Sequence, residues 1–162
     1  MQGDPRILQH LQTLLGNELA ASDQYLLHSR MYQDWGLEAL YQRMEHESLE
    51  ERGHADQIIQ RMLFLEGQPD LEKRDPLKIG KTVPEMFAND LAVEYAVQDL
   101  LKQAIAACEE VADYDTREML KGLLADTEED HIYWLEQQLR LIDMLGLPNY
   151  LQTQLGDANI DH

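Results

Sequence analysis

Two Glu-x-x-His tetrads mark this sequence, Glu51–His54 in LEERGHAD and Glu128–His131 in TEEDHIYW. On a helix, positions i and i+3 share a face, so each tetrad can offer a carboxylate and an imidazole to one cation. A single tetrad is a weak signal in a chain so rich in Glu, but the wider pattern is stronger. Glu18 precedes Glu51 by 33 positions and Glu94 precedes Glu128 by 34, so the two halves of the chain both read Glu…Glu-x-x-His. Four carboxylates and two imidazoles suit two divalent cations, whose charge the four carboxylates neutralise. Hard oxygen donors with imidazole favour iron or manganese. The absence of thiolates disfavours a structural zinc site, although zinc or cobalt could occupy the same donors.

The neighbours of these residues say where they must sit. On helical spacing, Glu18 shares a face with Leu11, Leu14, Leu15 and Tyr25, and Glu51 with Met44, Ala55 and Ile58. Glu94 falls with Phe87, Leu91, Val97 and Leu101, and Glu128 with Leu124, Ile132 and Leu135. Charged groups on apolar stripes face a core, where an unpaired carboxylate is costly and needs a partner. The alternative is two surface Glu–His pairs and two exposed glutamates, which leaves the apolar neighbours and the repeat unexplained.

The elements follow from caps and breakers. A first helix is predicted from about Asp4 to Asp34, a second from Leu37 to Glu66, a third from Val83 to Val111 and a fourth from Asp115 to Leu145. A short fifth helix is expected over Leu147 to Leu155, followed by a frayed tail, GDANIDH. The fold class is therefore all-α: a four-helix bundle of about residues 4–145 with a short C-terminal helix, in a single domain over 1–162. Short first and third connections make two antiparallel hairpins. The middle segment, GQPDLEKRDPLKIGKT, is long enough to cross the bundle, since ~16 residues reach roughly 53 Å extended and a ~28-residue helix spans roughly 42 Å. From Glu18 to the first turn is roughly 26 Å, and from that turn to Glu51–His54 roughly 21–26 Å, so the six groups can meet at one level.

Composition narrows the function. The formal net charge of −18 excludes nucleic acid as a partner, because phosphates would be repelled. It fits either a self-repelling soluble surface or a field that attracts cations. The single cysteine, Cys108, excludes an internal disulfide and a CxxC metal knuckle and points to a reducing compartment, the cytoplasm. No signal peptide and no membrane-spanning run are evident.

The stretches LLGNELAASDQYLLHSRMYQDWGL, ERGHADQIIQRMLFLEGQPDL, DLAVEYAV, DTEEDHIYWLEQQLRLI and GLPNYLQTQ resemble the bacterioferritins, within the ferritin-like superfamily, over nearly the whole chain. The resemblance implies a ferritin-like bundle with a crossover between helices 2 and 3, assembled as a hollow shell of twenty-four subunits around iron mineral. It implies a ferroxidase using O₂ or H₂O₂, with two iron ions per subunit. Glu51 and Glu128 would bridge the irons, Glu18 and Glu94 would be terminal carboxylates, and His54 and His131 would each hold one iron. Tyr25 would sit beside the site as a hydrogen-bond partner or electron donor, or else serve as a core aromatic.

The resemblance also carries alternatives. Bacterioferritins bind haem between two subunits through a methionine beside the first tetrad's glutamate, and that position here is Arg52. A guanidinium cannot ligate haem iron, which argues against haem in a homopolymer and resembles the haem-less subunit type that co-assembles with a haem-binding one. Met31, Met44 and Met62 read as core fillers. His46 and Glu50, with Glu47 nearby, match an inner-surface iron site, against a solvated acidic face. Asn149 and Gln152 match a four-fold pore, against ordinary helix surface. Trp35 and Trp134 read as packing residues, and His10, His28 and His162 as surface histidines. A rubrerythrin-like peroxidase is disfavoured by the lack of CxxC pairs. A subunit acting mainly by co-assembly is disfavoured by the full ligand set.

Overall fold

Asp4 accepts a hydrogen bond from the Arg6 amide at 2.8 Å, and Pro5 occupies the first turn, so the chain enters its first helix capped. In the computed structural model, which describes residues 1–156, this helix (α1) runs Pro5–Asp34. Gly36, at φ 80°, turns the chain into α2, Glu38–Phe64. Thr82 caps α3, Val83–Glu110, through the Glu85 amide, and Asp113 caps α4, Tyr114–Asp126, through the Thr116 amide. From Asp126 the helix widens without a break into a π-helical turn, Thr127–Ile132, and continues as α5, Tyr133–Leu145. Gly146, at φ 79°, ends that rod, and α6 follows as Leu147–Gln152.

The fold is all-α with no strand among the described residues, a four-helix bundle with a short C-terminal helix, as the sequence led us to expect. Two details differ from expectation. The last helix stops at Gln152, because Thr153 and Gln154 already form turns back to Tyr150 and Leu151. The π turn breaks what the spacing had suggested was uniform α-helix. The expected frayed tail lies outside the described residues from 157 onward, as does His162.

The connection between α2 and α3 is a strap along α1. Gln12 and Asp70 exchange hydrogen bonds of 2.8 and 2.9 Å, the Asn17 amide donates to Asp75 at 2.6 Å, and the Lys78 amide donates to Gln24 at 2.9 Å. The Gly80 amide donates to His28 Nε2 at 3.2 Å. From Gln12 to His28 the strap climbs roughly 24 Å. Gly16 permits this approach, for a Cβ there would stand 2.4 Å from the Lys73 carbonyl oxygen.

His28 is therefore no surface histidine but fully buried, with Nδ1 2.9 Å from Asp90 on α3. Since Nε2 accepts from Gly80, the proton is assigned to Nδ1, which donates to Asp90; Gln24 donates to the same carboxylate at 2.8 Å. Burial raises the Asp90 pKa, and these two donors oppose it.

Apolar side chains fill both ends of the bundle. Leu11, Leu14, Ile58, Met62, Leu101 and Leu123 pack at one end; Tyr32, Leu40, Met44, Phe87, Leu135 and Tyr150 pack at the other. Tyr150 seals its end from α6, donating to Gln138 at 2.6 Å. Trp134 packs edge-on to Phe87 beneath the Arg43 guanidinium, and Trp35, 43% exposed, packs edge-on to Tyr32.

Asp90→Ala removes the acceptor for both His28 and Gln24 in the core. Breaking such a buried set costs about 3–5 kcal/mol. Guanidinium denaturation of the metal-free protein is expected to show a loss of that order, with a smaller loss for Asp90→Asn.

Candidate metal centre

Between the two apolar ends lies a polar layer. Glu18 from α1, Glu51 and His54 from α2, and Glu94 from α3 are all buried, and His131 joins them from the π turn. They form two overlapping triads, Glu18–Glu51–His54 and Glu51–Glu94–His131, whose donor atoms lie within 4.8 Å of one another. Glu51 belongs to both. His54 Nδ1 is 3.3 Å from Glu18 and 3.5 Å from Glu51, while His131 Nδ1 is 2.7 Å from Glu51 and 3.1 Å from Glu94. The two rings stack with centroids 6.0 Å apart and planes at 17°.

The donors are under-satisfied. Glu18 Oε1 and Glu94 Oε2 meet no hydrogen-bond donor, and both Glu51 oxygens face imidazole nitrogens without hydrogen-bond alignment. Buried carboxylates left this way are costly unless a cation completes them. The donor set of oxygen and imidazole fits two hard or borderline divalent cations.

The protonation states carry the same strain. Burial, then the neighbouring Glu51 charge, pushes the Glu18 pKa well above the usual carboxylate range. Burial pulls the His54 imidazole down, but Glu18 and Glu51 outweigh it and hold it at about 11. His131 is raised too, burial being overcome by Glu47, Glu51 and Glu94. Without metal, protons take the place of cations.

Tyr25 is buried beside the centre, and its hydroxyl donates to Glu94. Burial, then Glu94 and Asp90, raises its pKa well above the ordinary phenol value, so it remains a donor. With Met44, Glu47, Glu94, His131, Trp134 and Leu135 it lines a cavity of about 10 Å³, room for roughly one water-sized molecule.

Glu128 stands apart. Its side chain is 40% exposed, accepts from Gln98 at 2.7 Å, and lies 3.9 Å from Lys102. It lies in the π turn, where hydrogen-bonded partners are five residues apart, and the Gln98 and Lys102 contacts hold its side chain outward.

Of the residues expected at an inner-surface site, Glu47 and Glu50 come up against this centre. Glu47, one turn before Glu51 and 3% exposed, lies 2.5 Å from His131 Nε2 and 2.8 Å from the Arg43 guanidinium. Its position on the Glu51 face was the available signal. Glu50 also reaches His131 Nε2, at 2.9 Å. With His46 and Asp130 these form a third group of possible donors, within 4.8 Å of one another, in which His46 is exposed. Asp126 lies 3.2 Å from His54 Nε2. Arg52 is exposed on α2, as are Asn149 and Gln152 at the C-terminal end.

The family described as Ferritin-like domain matches residues 8–145. The chain is 57% identical to a protein named Bacterial ferritin from Synechocystis sp., over 96% of this chain and 100% of the relative. It is 54% identical to the Bacterial ferritin of Pseudomonas aeruginosa, over 96% and 100%, and 45% identical to the Bacterioferritin of Mycolicibacterium paratuberculosis, over 93% and 94%.

Because the metal-free imidazoles hold protons that a cation must displace, metal binding is expected to release protons and to tighten as pH rises. The sign follows from a His54 pKa raised to about 11: below it the competing proton is present, and above it the proton is lost. Calorimetric Co²⁺ titration in buffers of different ionisation enthalpy measures the release at neutral pH.

Proposed function

The chain belongs to the ferritin family, and from that premise we propose that it is a ferroxidase that stores iron. Two Fe²⁺ bind per subunit, are oxidised to Fe³⁺, and the product is deposited as ferric mineral inside a hollow multi-subunit shell. The observation that carries this reading is the pair of triads meeting at Glu51, a shared carboxylate between two imidazole-bearing positions. Each Fe²⁺ gives up one electron. Together the two electrons, with two protons, reduce one O₂ to H₂O₂, or one H₂O₂ to two waters.

The residues divide this work. Glu18 and His54 hold one iron, Glu94 and His131 the other, and Glu51 bridges them. Glu128 completes the set from the π turn; only a neutral amide and a half-exposed ammonium 3.9 Å away oppose its movement inward. Tyr25 keeps the Glu94 carboxylate oriented by donating to it. His46, Glu47, Glu50 and Asp130, outside His131, form an inner-surface iron station.

Assembly is supported by the surface. Leu26, Leu27, Leu49, Leu63, Phe64, Tyr114, Tyr133 and Met144 are exposed on the single chain, apolar side chains that neighbouring subunits would cover. The shell has twenty-four subunits, with Asn149 and Gln152 near a pore, and it can include a haem-binding partner subunit. No described helix is long and apolar enough to cross a membrane. With its single cysteine, Cys108, buried, the chain suits the cytoplasm.

Anaerobic titration is expected to saturate at about two Fe²⁺ per subunit before mineral forms. Glu51→Ala, which damages both positions, is expected to abolish the fast phase of oxidation in stopped-flow absorbance while the shell still assembles. An unchanged fast phase would remove the triads from the reaction.

Arg52 sets a separate expectation. A shell of this chain alone should purify without an intense Soret band, even after incubation with haemin. Arg52→Met would put one thioether on each side of a two-fold contact, because an isologous interface repeats every residue. Haem uptake should then appear; stoichiometric haem in the unmixed wild-type shell would refute the reading of Arg52.

A further inference from the structure

Each imidazole of the centre has an outward nitrogen, and the two outward nitrogens meet different partners. His131 Nε2 faces two carboxylates, Glu47 at 2.5 Å and Glu50 at 2.9 Å. His54 Nε2 faces Asp126 alone among the described residues, Oδ2 standing 3.2 Å away. His54 is almost fully buried, whereas the Asp126 side chain is 60% exposed.

An imidazole can ligate a metal only through a nitrogen free of its proton, and the proton then sits on the other nitrogen. A carboxylate at that other nitrogen fixes the tautomer, aims the ring and makes the ligating nitrogen more basic. His54 Nδ1 is the inward nitrogen, towards Glu18 and Glu51. We propose that Asp126 is the positioning carboxylate of the metal centre: it accepts the His54 Nε2 proton and so holds Nδ1 ready for the cation. This inference rests on the reading of the triads as a metal site.

The π turn makes the arrangement possible. Asp126 is the last residue of α4, and His131 follows it by five positions across the π turn. The five-residue spacing of a π turn brings the two towards one side of the helix, facing α2. One helix thus supplies an imidazole to one metal position and the outer partner of the imidazole at the other. The two positions are unequal in consequence. Loss of Glu50 still leaves His131 with Glu47, but loss of Asp126 leaves His54 Nε2 with no acceptor.

Anaerobic Co²⁺ titration of the assembled, metal-free protein tests this, read by calorimetry and by the visible absorption of bound Co²⁺. The wild type is expected to bind two Co²⁺ per subunit. Asp126→Ala is expected to weaken one binding step about 10–100-fold and to perturb the absorption of that ion alone. Asp126→Glu should restore most of the loss. Glu129→Gln, which removes a charge from the exposed side of the same turn, should leave both steps unchanged. Superimposable isotherms for wild type and Asp126→Ala would overturn the proposal. So would equal weakening of both steps, the mark of a diffuse field. A tightened step would overturn it as well, since Asp126 would then serve only the protonated, metal-free imidazole. A wild type that binds no Co²⁺ pair would instead refute the metal-site reading beneath it.

Discussion

The structure depends on keeping like charges together where water cannot reach them. Glu18, Glu51 and Glu94 share one buried layer, with Glu47 beside it. Burial and the neighbouring Glu51 charge oppose the ionisation of Glu18, and two imidazoles in that layer answer the carboxylates with positive charge. A bundle that merely needed a core would place leucines here. The apolar packing on either side must hold the layer together when metal is absent, and that is what the clusters around Leu11 and Leu101 at one end and Phe87 and Tyr150 at the other supply. The cost of the carboxylates is offset when cations replace protons, so the resting strain and the capacity for iron are one property seen in two states.

Keeping four long helices parallel to that layer is the task of the strap. Its polar rungs rise along α1 from Gln12 to His28 and finish at Asp90, one turn before Glu94 on α3. The Asp90 network thereby joins α1, α3 and the strap beside Tyr25 and Glu94. Two carboxylates one turn apart on α3 have separate duties. Asp90 is saturated with donors and fixes the helix, while Glu94 keeps an oxygen without one and faces the metal position.

Much of this was legible in the sequence. The paired Glu…Glu-x-x-His pattern picked out five of the buried polar residues, because helical spacing converts directly into a shared face. Pro5, Gly36 and Gly146 set element ends through local chemistry, and the long linker implied a crossover. What escaped notice depended on contacts between elements. Nothing near His28 in the sequence announces Asp90, 62 positions away, or the Gly80 amide. No local signal announces the π turn, so spacing alone did not foretell that the Glu128 side chain accepts from Gln98. Asp126 could not be recognised for the same reason, since its relation to His131 appears only once the turn is widened.

That widened turn also sets the angular phase of everything after it. An α-helix advances about 100° per residue, so each residue added to or removed from a helix rotates the downstream segment by that amount. With the extra residue accommodated at Thr127–Ile132, α5 emerges with Leu135 and Gln138 turned inward, and α6 brings Tyr150 onto Gln138. Restoring a plain α-helix by deleting one residue would swing that end of the molecule through roughly a quarter turn. Tyr150 would lose its seat, and the exposed face of α6 would point elsewhere. The local winding beside the buried polar layer is therefore also the gear that sets the facing of the last two helices.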